Sequence, residues 1–226
     1  MATARLADRL GYRDVALVPE AFAQDLQWDR ALAMIDRLED FARQEGREFG
    51  LKLTNTLVVA NGRGIMPGEQ MYLSGKPLHV LAVAVLSKLH AALPGTFALG
   101  PEPGLVPVAF SAGIDKDNLA EAVALGLRPV TICSDLLRPG GYGRMAQGLR
   151  KLSKTMKEKG LKDLPALATA AHADAAAAGH RDAVAALATR HATPEGARRY
   201  SLAANDKPLR QVDNVLQVFD CVACGA

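Results

Sequence analysis

Apolar residues fall into two rhythms along this chain. From Trp28 they recur at three- and four-residue steps, through Leu32, Ile35, Leu38, Phe41 and Ala42. That spacing predicts one face of a helix, with Asp25 as its cap and Gly46 as its stop. Helical spacing returns at Leu78, Leu81, Ala82, Val85 and Leu89, at Leu119, Ala122 and Val123, and at Met145, Leu149, Leu152 and Met156. Between these stretches the apolar positions are continuous instead. DVALV (Asp14–Val18), FGLKLTNTLVV (Phe49–Val59), LVPVAFSAG (Leu105–Gly113) and LRPVTICSD (Leu127–Asp135) read as strands. Continuous runs belong to sheets buried on both faces, which are parallel sheets covered by helices. Pro19, the glycine-containing loop NGRGIMPGEQMYLSGKP, PEPG and LLRPGGYG separate the elements.

The order strand–helix, repeated, predicts an α/β fold. An open Rossmann-type sheet and a (β/α)8 TIM-barrel-like fold both fit. About four strands precede residue 150, half of what a barrel needs. After residue 160 the texture changes to LPALATAAHADAAAAGHRDAVAALATRHATPEGARRY. Alanine favours helix but brings little surface to bury, so this stretch is expected to form short peripheral helices acting as a linker. The boundaries expected are 1–160 for the β/α region, 161–212 for the alanine-rich helical linker, and 213–226 for a closing segment.

Composition narrows the classes. The chain has 226 residues, 49% of them apolar, and a formal net charge of only +3. Its one basic concentration, Arg150, Lys151, Lys154, Lys157, Lys159 and Lys162, carries no interleaved aromatics. It reads as a solvated helix face, and no nucleic-acid partner is expected. No apolar stretch is long enough to span a bilayer. The N-terminal MATARLADRLGYRD lacks the apolar core of a secretory signal, and three cysteines make no disulfide framework, so a cytoplasmic location is expected.

In β/α proteins, ligands sit at the C-terminal ends of strands. Those ends hold Lys52, Thr54, Asn55 and Thr56, then Ser111, Ala112 and Gly113, then Cys133, Ser134 and Asp135. SGKP, from Ser74 to Pro77, precedes a helix. Two neighbouring strand ends of small residues can jointly offer amides to a phosphate. There is no Walker sequence, and GRG at Gly62–Gly64 is not a dinucleotide fingerprint. Plainer roles stay open: a surface lysine for Lys52, turn caps for Asn55 and Thr56, a turn glycine for Gly113, a packed thiol for Cys133. His79, His90, His172, His180 and His191 lie away from strand ends and read as surface or helix residues. Cys221 and Cys224, spaced C-x₂-C, fit half a zinc site, a redox pair or the opening of a cluster motif.

Taken together, KLTNT (Lys52–Thr56), SGKPLHVLAVAVLSKL (Ser74–Leu89), VPVAFSAGIDKDNLAEAVALG (Val106–Gly126) and VTICSDLLRPGGYGR (Val130–Arg144) resemble the C-terminal half of a known barrel. It is the FMN-binding β/α barrel of dihydroorotate and dihydropyrimidine dehydrogenases. FGLKLTNTL, GEQMYLSG and DLLRPGGYGR look closest to the selenate reductase-type flavin/iron–sulfur subunits, relatives of the glutamate synthase small subunit. The resemblance covers residues 10–158. It implies that Asn55 and Thr56 line the flavin and substrate side, and that Gly75 precedes a barrel helix near the flavin. It further implies that Gly113, Cys133 and Ser134 receive the FMN phosphate. Lys52 is expected beside the flavin ring. Ala112 stands where the family has glycine, and its methyl is expected to crowd the phosphate loop.

The resemblance also implies that CVACGA opens a ferredoxin-like [4Fe–4S] segment with Cys221 and Cys224 as ligands, an incomplete set. NAD(P)H and FAD are expected to bind outside this chain. The expected function is that of a fragment of a multidomain oxidoreductase. Such an enzyme passes electrons from NAD(P)H through clusters to FMN and a small heterocyclic acceptor. The fragment alone is expected to be inactive, completed by a missing barrel half or a dimer partner. The competing expectations are a non-catalytic half-barrel that dimerises and binds a phosphate-bearing ligand, and a scaffold that uses its C-x₂-C for zinc.

Overall fold

The computed structural model describes residues 8–205 apart from 14, 55, 63, 65, 66, 101–103 and 105. Asn55, Cys221 and Cys224 therefore lie outside the described residues. A six-residue helix, α1 (Pro19–Gln24), and a 17-residue helix, α2 (Trp28–Gln44), lie in the N-terminal part of the described chain. The α2 cap is Gln27 rather than Asp25, whose carboxylate instead accepts from the amide of Leu26 at 2.7 Å. At the other end Gly46, with φ +61°, takes the left-handed position that glycine occupies after a helix.

The run expected as one strand, Phe49–Val59, divides in two. Leu51–Leu53 (β1) pairs in parallel with Val108–Phe110 (β4), while Leu57–Ala60 (β2) forms an antiparallel hairpin with Gln70–Leu73 (β3). The hairpin takes up part of the expected glycine loop. DVALV contributes a single antiparallel bridge, Leu17 to Val59, and the VTIC run a single parallel bridge, Phe110 to Val130. The parallel rows are thus β1, β4 and the segment at Val130, side by side in chain order, an arc of a barrel wall.

Helix α3 (Lys76–Ala92) backs this arc. Its buried residues include Leu78, Val80, Leu81, Val83, Leu86 and Leu89. It packs with β1 and β4 through Leu53, Val108 and Phe110 in one continuous core. After β4 come α4 (Leu119–Ala124) and α5 (Tyr142–Glu158). The basic residues 150, 151, 154 and 157 of α5 are exposed, with Lys151 paired to Asp117 and Lys154 to Glu158.

The alanine-rich stretch forms α6 (Leu164–Ala177) and α7 (Ala183–His191), capped by Asp163 and Asp182. Each capping carboxylate accepts from an amide three residues on, at 2.8 and 2.7 Å respectively. The expectation that this stretch buries little does not hold. Ala175, Ala183, Val184 and Leu187 belong to the main core, and Val184 is fully buried. Alanine methyls let α7 approach α3 closely, so small side chains here serve tight packing. The described chain ends in α8 (Pro194–Ala197), a 3₁₀ turn (Arg198–Tyr200) and α9 (Leu202–Asn205).

Candidate functional site

The register sorts the strand residues onto two faces. Leu53, Val108 and Phe110 face the helices and are buried. Lys52, opposite Ala109, therefore lies on the other face and is exposed, as are Thr131 and Cys133 on the neighbouring segment. Cys133 is thus a free, exposed thiol rather than a packed one.

At the C-terminal ends of β4 and the Val130 segment, Gly75, Gly113 and Ser134 converge. With Lys76, Ile114, Asp115, Asp135 and Arg138 they line one cavity of about 30 Å³. A single water needs roughly 10–15 Å³ on such a measure, so the space suits one small polar group rather than a whole ring system. Gly75 caps α3 with φ +72°, no side chain caps the helix, and a proline in the first turn presets its backbone. Pro77 has no N–H and the Leu78 amide donates to the Gly75 carbonyl at 3.2 Å, so the helix offers the cavity the amide of Lys76, with the partial positive charge of its dipole. Gly113 has φ +56°, and a Cβ there would overlap the carbonyl of Gly75, 2.9 Å from its carbon. Backbone thus approaches backbone at this point because Gly113 has no side chain; a Cβ on Gly75 would meet nothing within 4 Å.

The loop after β4 is locked by its own side chains. Asp115 accepts from the amides of Asp117 and Asn118 at 2.8 and 3.1 Å, and Asn118 accepts from the amide of Asp115 at 2.7 Å. Asn118 also donates to the carbonyl of Gly113 at 3.0 Å, and His79 on α3 lies 2.9 Å from the carbonyl of Ala112. Ala112 is itself 1% exposed and sits in the main core. It does not line the cavity.

Charge gathers around the cavity. Asp115 and Asp135 are both 3% exposed. Arg199 donates to the two oxygens of Asp115 at 2.8 and 3.0 Å, and Arg144 donates to Asp135 at 2.7 Å. The Lys76 ammonium stands 3.9 Å from Asp115. Burial pushes the Lys76 pKa down; Asp115 pulls it back up, and nearby Arg138 and Arg199 push it further down. Burial would raise Asp117, but hydrogen bonds from Lys151 and Lys116 outweigh it and hold the carboxyl at about 2.

Of the three residues expected around a phosphate, Gly113 and Ser134 line this cavity and Cys133 does not; Gly75, expected near the flavin, lines it with them. Lys52 on β1 and Thr56, between β1 and β2, stand apart from that lining. Lys76, Arg138 and Asp115 are not singled out by the strand-end pattern, although SGKP contains the lysine; Asp135 is, but without its charge role. His79, His90, His172 and His191 lie on helices, as expected, but two of them are core residues. His79 and His191 are 2% and 3% exposed, and His79 stacks on Tyr200 with ring centroids 4.9 Å apart. Burial and the neighbouring His79, Arg190 and Arg199 push His191 down to about 3, so it is neutral. Among the described residues no group of metal-ligating side chains assembles, and no helix is long and apolar enough to cross a membrane.

Comparison with known proteins agrees with the β/α reading. Two curated relatives, both named "Putative oxidoreductase YgfK", come from Escherichia coli strain K12 and from Escherichia coli O157:H7. Each is 36% identical over 147 residues, covering 65% of this chain and 13% of the relative. The chain therefore spans about 13% of the length of these relatives. No solved structure matches. The family described as "Oxidoreductase YgfK, N-terminal TIM-barrel domain" matches residues 2–183, and the chain belongs to that oxidoreductase family.

Proposed function

We propose that this chain holds the phosphate end of FMN at the C-terminal ends of its barrel strands. The observation that carries the reading is the cavity where Gly75, Gly113 and Ser134 meet Lys76 and Arg138. It admits one small polar group, a helix N-terminus and two cations face it, each cation offset by a buried aspartate, and its glycines let backbone reach a ligand oxygen. When bound, FMN supplies hydride transfer, which no protein side chain performs. The chain's own residues bind and orient. Lys52 stands on the exposed sheet face, where its ammonium would favour negative charge beside the ring. Cys133 and Thr131 give that face a polar border.

The wider reading follows the resemblance and the family together. The whole enzyme would take electrons from NAD(P)H, with FAD and [4Fe–4S] clusters outside the described residues, and reduce a conjugated nitrogen heterocycle of purine or pyrimidine type. Cys221 and Cys224 would contribute ligands to one such cluster.

A second observation favours a neighbour along β1. Among the described residues, β1 pairs only with β4. Beside it lies an apolar cavity of about 510 Å³ lined by Phe22, Leu26, Trp28, Met34, Leu51 and Leu57, among others. A further β/α unit laid against this edge would cover both the strand and the groove.

The phosphate reading is tested by titrating the chain with FMN and with riboflavin, which lacks the phosphate. FMN binding tighter than riboflavin, and weakened by Lys76→Ala, supports it. Equal affinity for the two flavins overturns it.

A further inference from the structure

We propose that Arg144 and Arg199 make the cavity receptive to an anion, by neutralising Asp135 and Asp115 from behind. The inference rests on the phosphate reading above. Of the charged groups lining the cavity, Lys76 and Arg138 are balanced by Asp115 and Asp135. That lining sums to no net charge and would not attract a phosphate. Both carboxylates are buried at 3% exposure, so water screens them little.

Arg144 and Arg199 do not line the cavity, yet each bonds one of these carboxylates at 2.7 to 3.0 Å. With the aspartates cancelled, a bound anion meets Lys76 and Arg138 uncompensated. The geometry of the loop does not itself require Arg199. Asp115 already accepts from two backbone amides, which suffice for the turn. What Arg199 adds is charge. It reaches Asp115 from 84 positions away in the chain, on the 3₁₀ turn of the C-terminal layer. Anion binding at the strand ends is thereby made to depend on that layer being docked. The crowding of Lys76 by Arg138 and Arg199 accords with this, because an incoming anion would relieve it.

The test uses the full chain with FMN, riboflavin and orthophosphate as probes. Arg199→Met and Arg144→Met each leave one buried carboxylate without its arginine, so that its charge repels an anion in the cavity. At roughly 6–8 Å and an effective dielectric near 20, that repulsion weakens FMN binding by about 10- to 100-fold. Riboflavin binding stays unchanged. Removing the uncompensated negative charge as well restores the site: Arg199→Met with Asp115→Asn, and Arg144→Met with Asp135→Asn, return FMN affinity to within about threefold of the parent. Asparagine keeps the acceptor oxygen for the turn, so Asp115→Asn alone binds FMN at least as well as the parent. Arg199→Lys keeps the charge and most of the affinity.

Folded double variants that stay as weak as the single ones would show the arginines to be structural props, and overturn the inference. Unchanged FMN affinity in both single variants would also overturn it, while leaving the phosphate reading intact. Parent protein that binds FMN no better than riboflavin, and shows no competition by orthophosphate, removes the phosphate reading and the inference together. If Arg199→Met fails to fold, the Arg144 and Asp135 pair decides the question alone.

Discussion

Replacing Gly113 by alanine disturbs the cavity and the fold at one point. The residue has φ +56°, which costs an alanine about 1–2 kcal/mol. Its methyl would also overlap the Gly75 carbonyl and come within 3.0 Å of the His79 Cβ. These are a helix cap and a buried side chain, so neither can swing aside. Overpacking of that kind adds about 1–3 kcal/mol. The sum, roughly 2–5 kcal/mol, lowers the melting temperature by about 4–20 °C for a chain of this size. Gly46→Ala separates the two contributions, because Gly46 has φ +61° and open space around its Cβ position. It should show the backbone cost alone. Denaturant unfolding of both variants gives the difference. Moving the first turn of α3 should also cost FMN one charge-assisted contact, ~1.5–3 kcal/mol or about 10- to 100-fold in affinity. If Gly113→Ala unfolds within about 0.5 kcal/mol of the parent and binds FMN equally, the close approach of the two glycines has no energetic weight.

Other outcomes follow from the same structure. Leu187→Ala, at a core position 4% exposed on α7, should destabilise the chain by about 2–5 kcal/mol in urea unfolding; a change near zero would return the alanine-rich helices to the role of a linker. His79 and His191 are held neutral by burial, with His191 down at about 3. The unfolded chain therefore takes up more protons below its ordinary histidine value of about 6.5, and stability is complete above that pH and falls as pH drops toward 3. The slope should reach roughly 1 kcal/mol per pH unit or more, and a flat profile between pH 6.5 and 4.5 in calorimetry would contradict the burial. Lys151→Ala breaks an exposed pair with Asp117 and should change stability by less than about 1 kcal/mol in the same unfolding assay. Lys52→Gln should leave the fold intact and, with FMN bound, lower the flavin reduction potential measured by dye titration.

The parts of the fold that showed in the sequence are those set by local chemistry. The α3 pattern from Leu78 to Leu89 and the glycines of the strand ends are legible because spacing and turn geometry are encoded residue by residue. The division of Phe49–Val59 was not legible. Both halves are apolar, and only the partner, β4 for one and β3 for the other, decides parallel from antiparallel. The alanine-rich helices were misjudged because burial was inferred from side-chain size. Val184 and Leu187 enter the core because neighbouring alanines allow close approach. The cavity was half legible. Gly75, Gly113 and Ser134 are local signals, whereas the pairing of Arg199 with Asp115 joins residues that no short motif connects.

The central claim is that the strand-end cavity receives a phosphate, and the most direct measurement is a crystal structure of the chain soaked with FMN. The account predicts the phosphate among Gly75, Gly113 and Ser134, with the Lys76 ammonium as its nearest side-chain cation. Phosphate density elsewhere on the molecule, with this cavity holding only water, would contradict it.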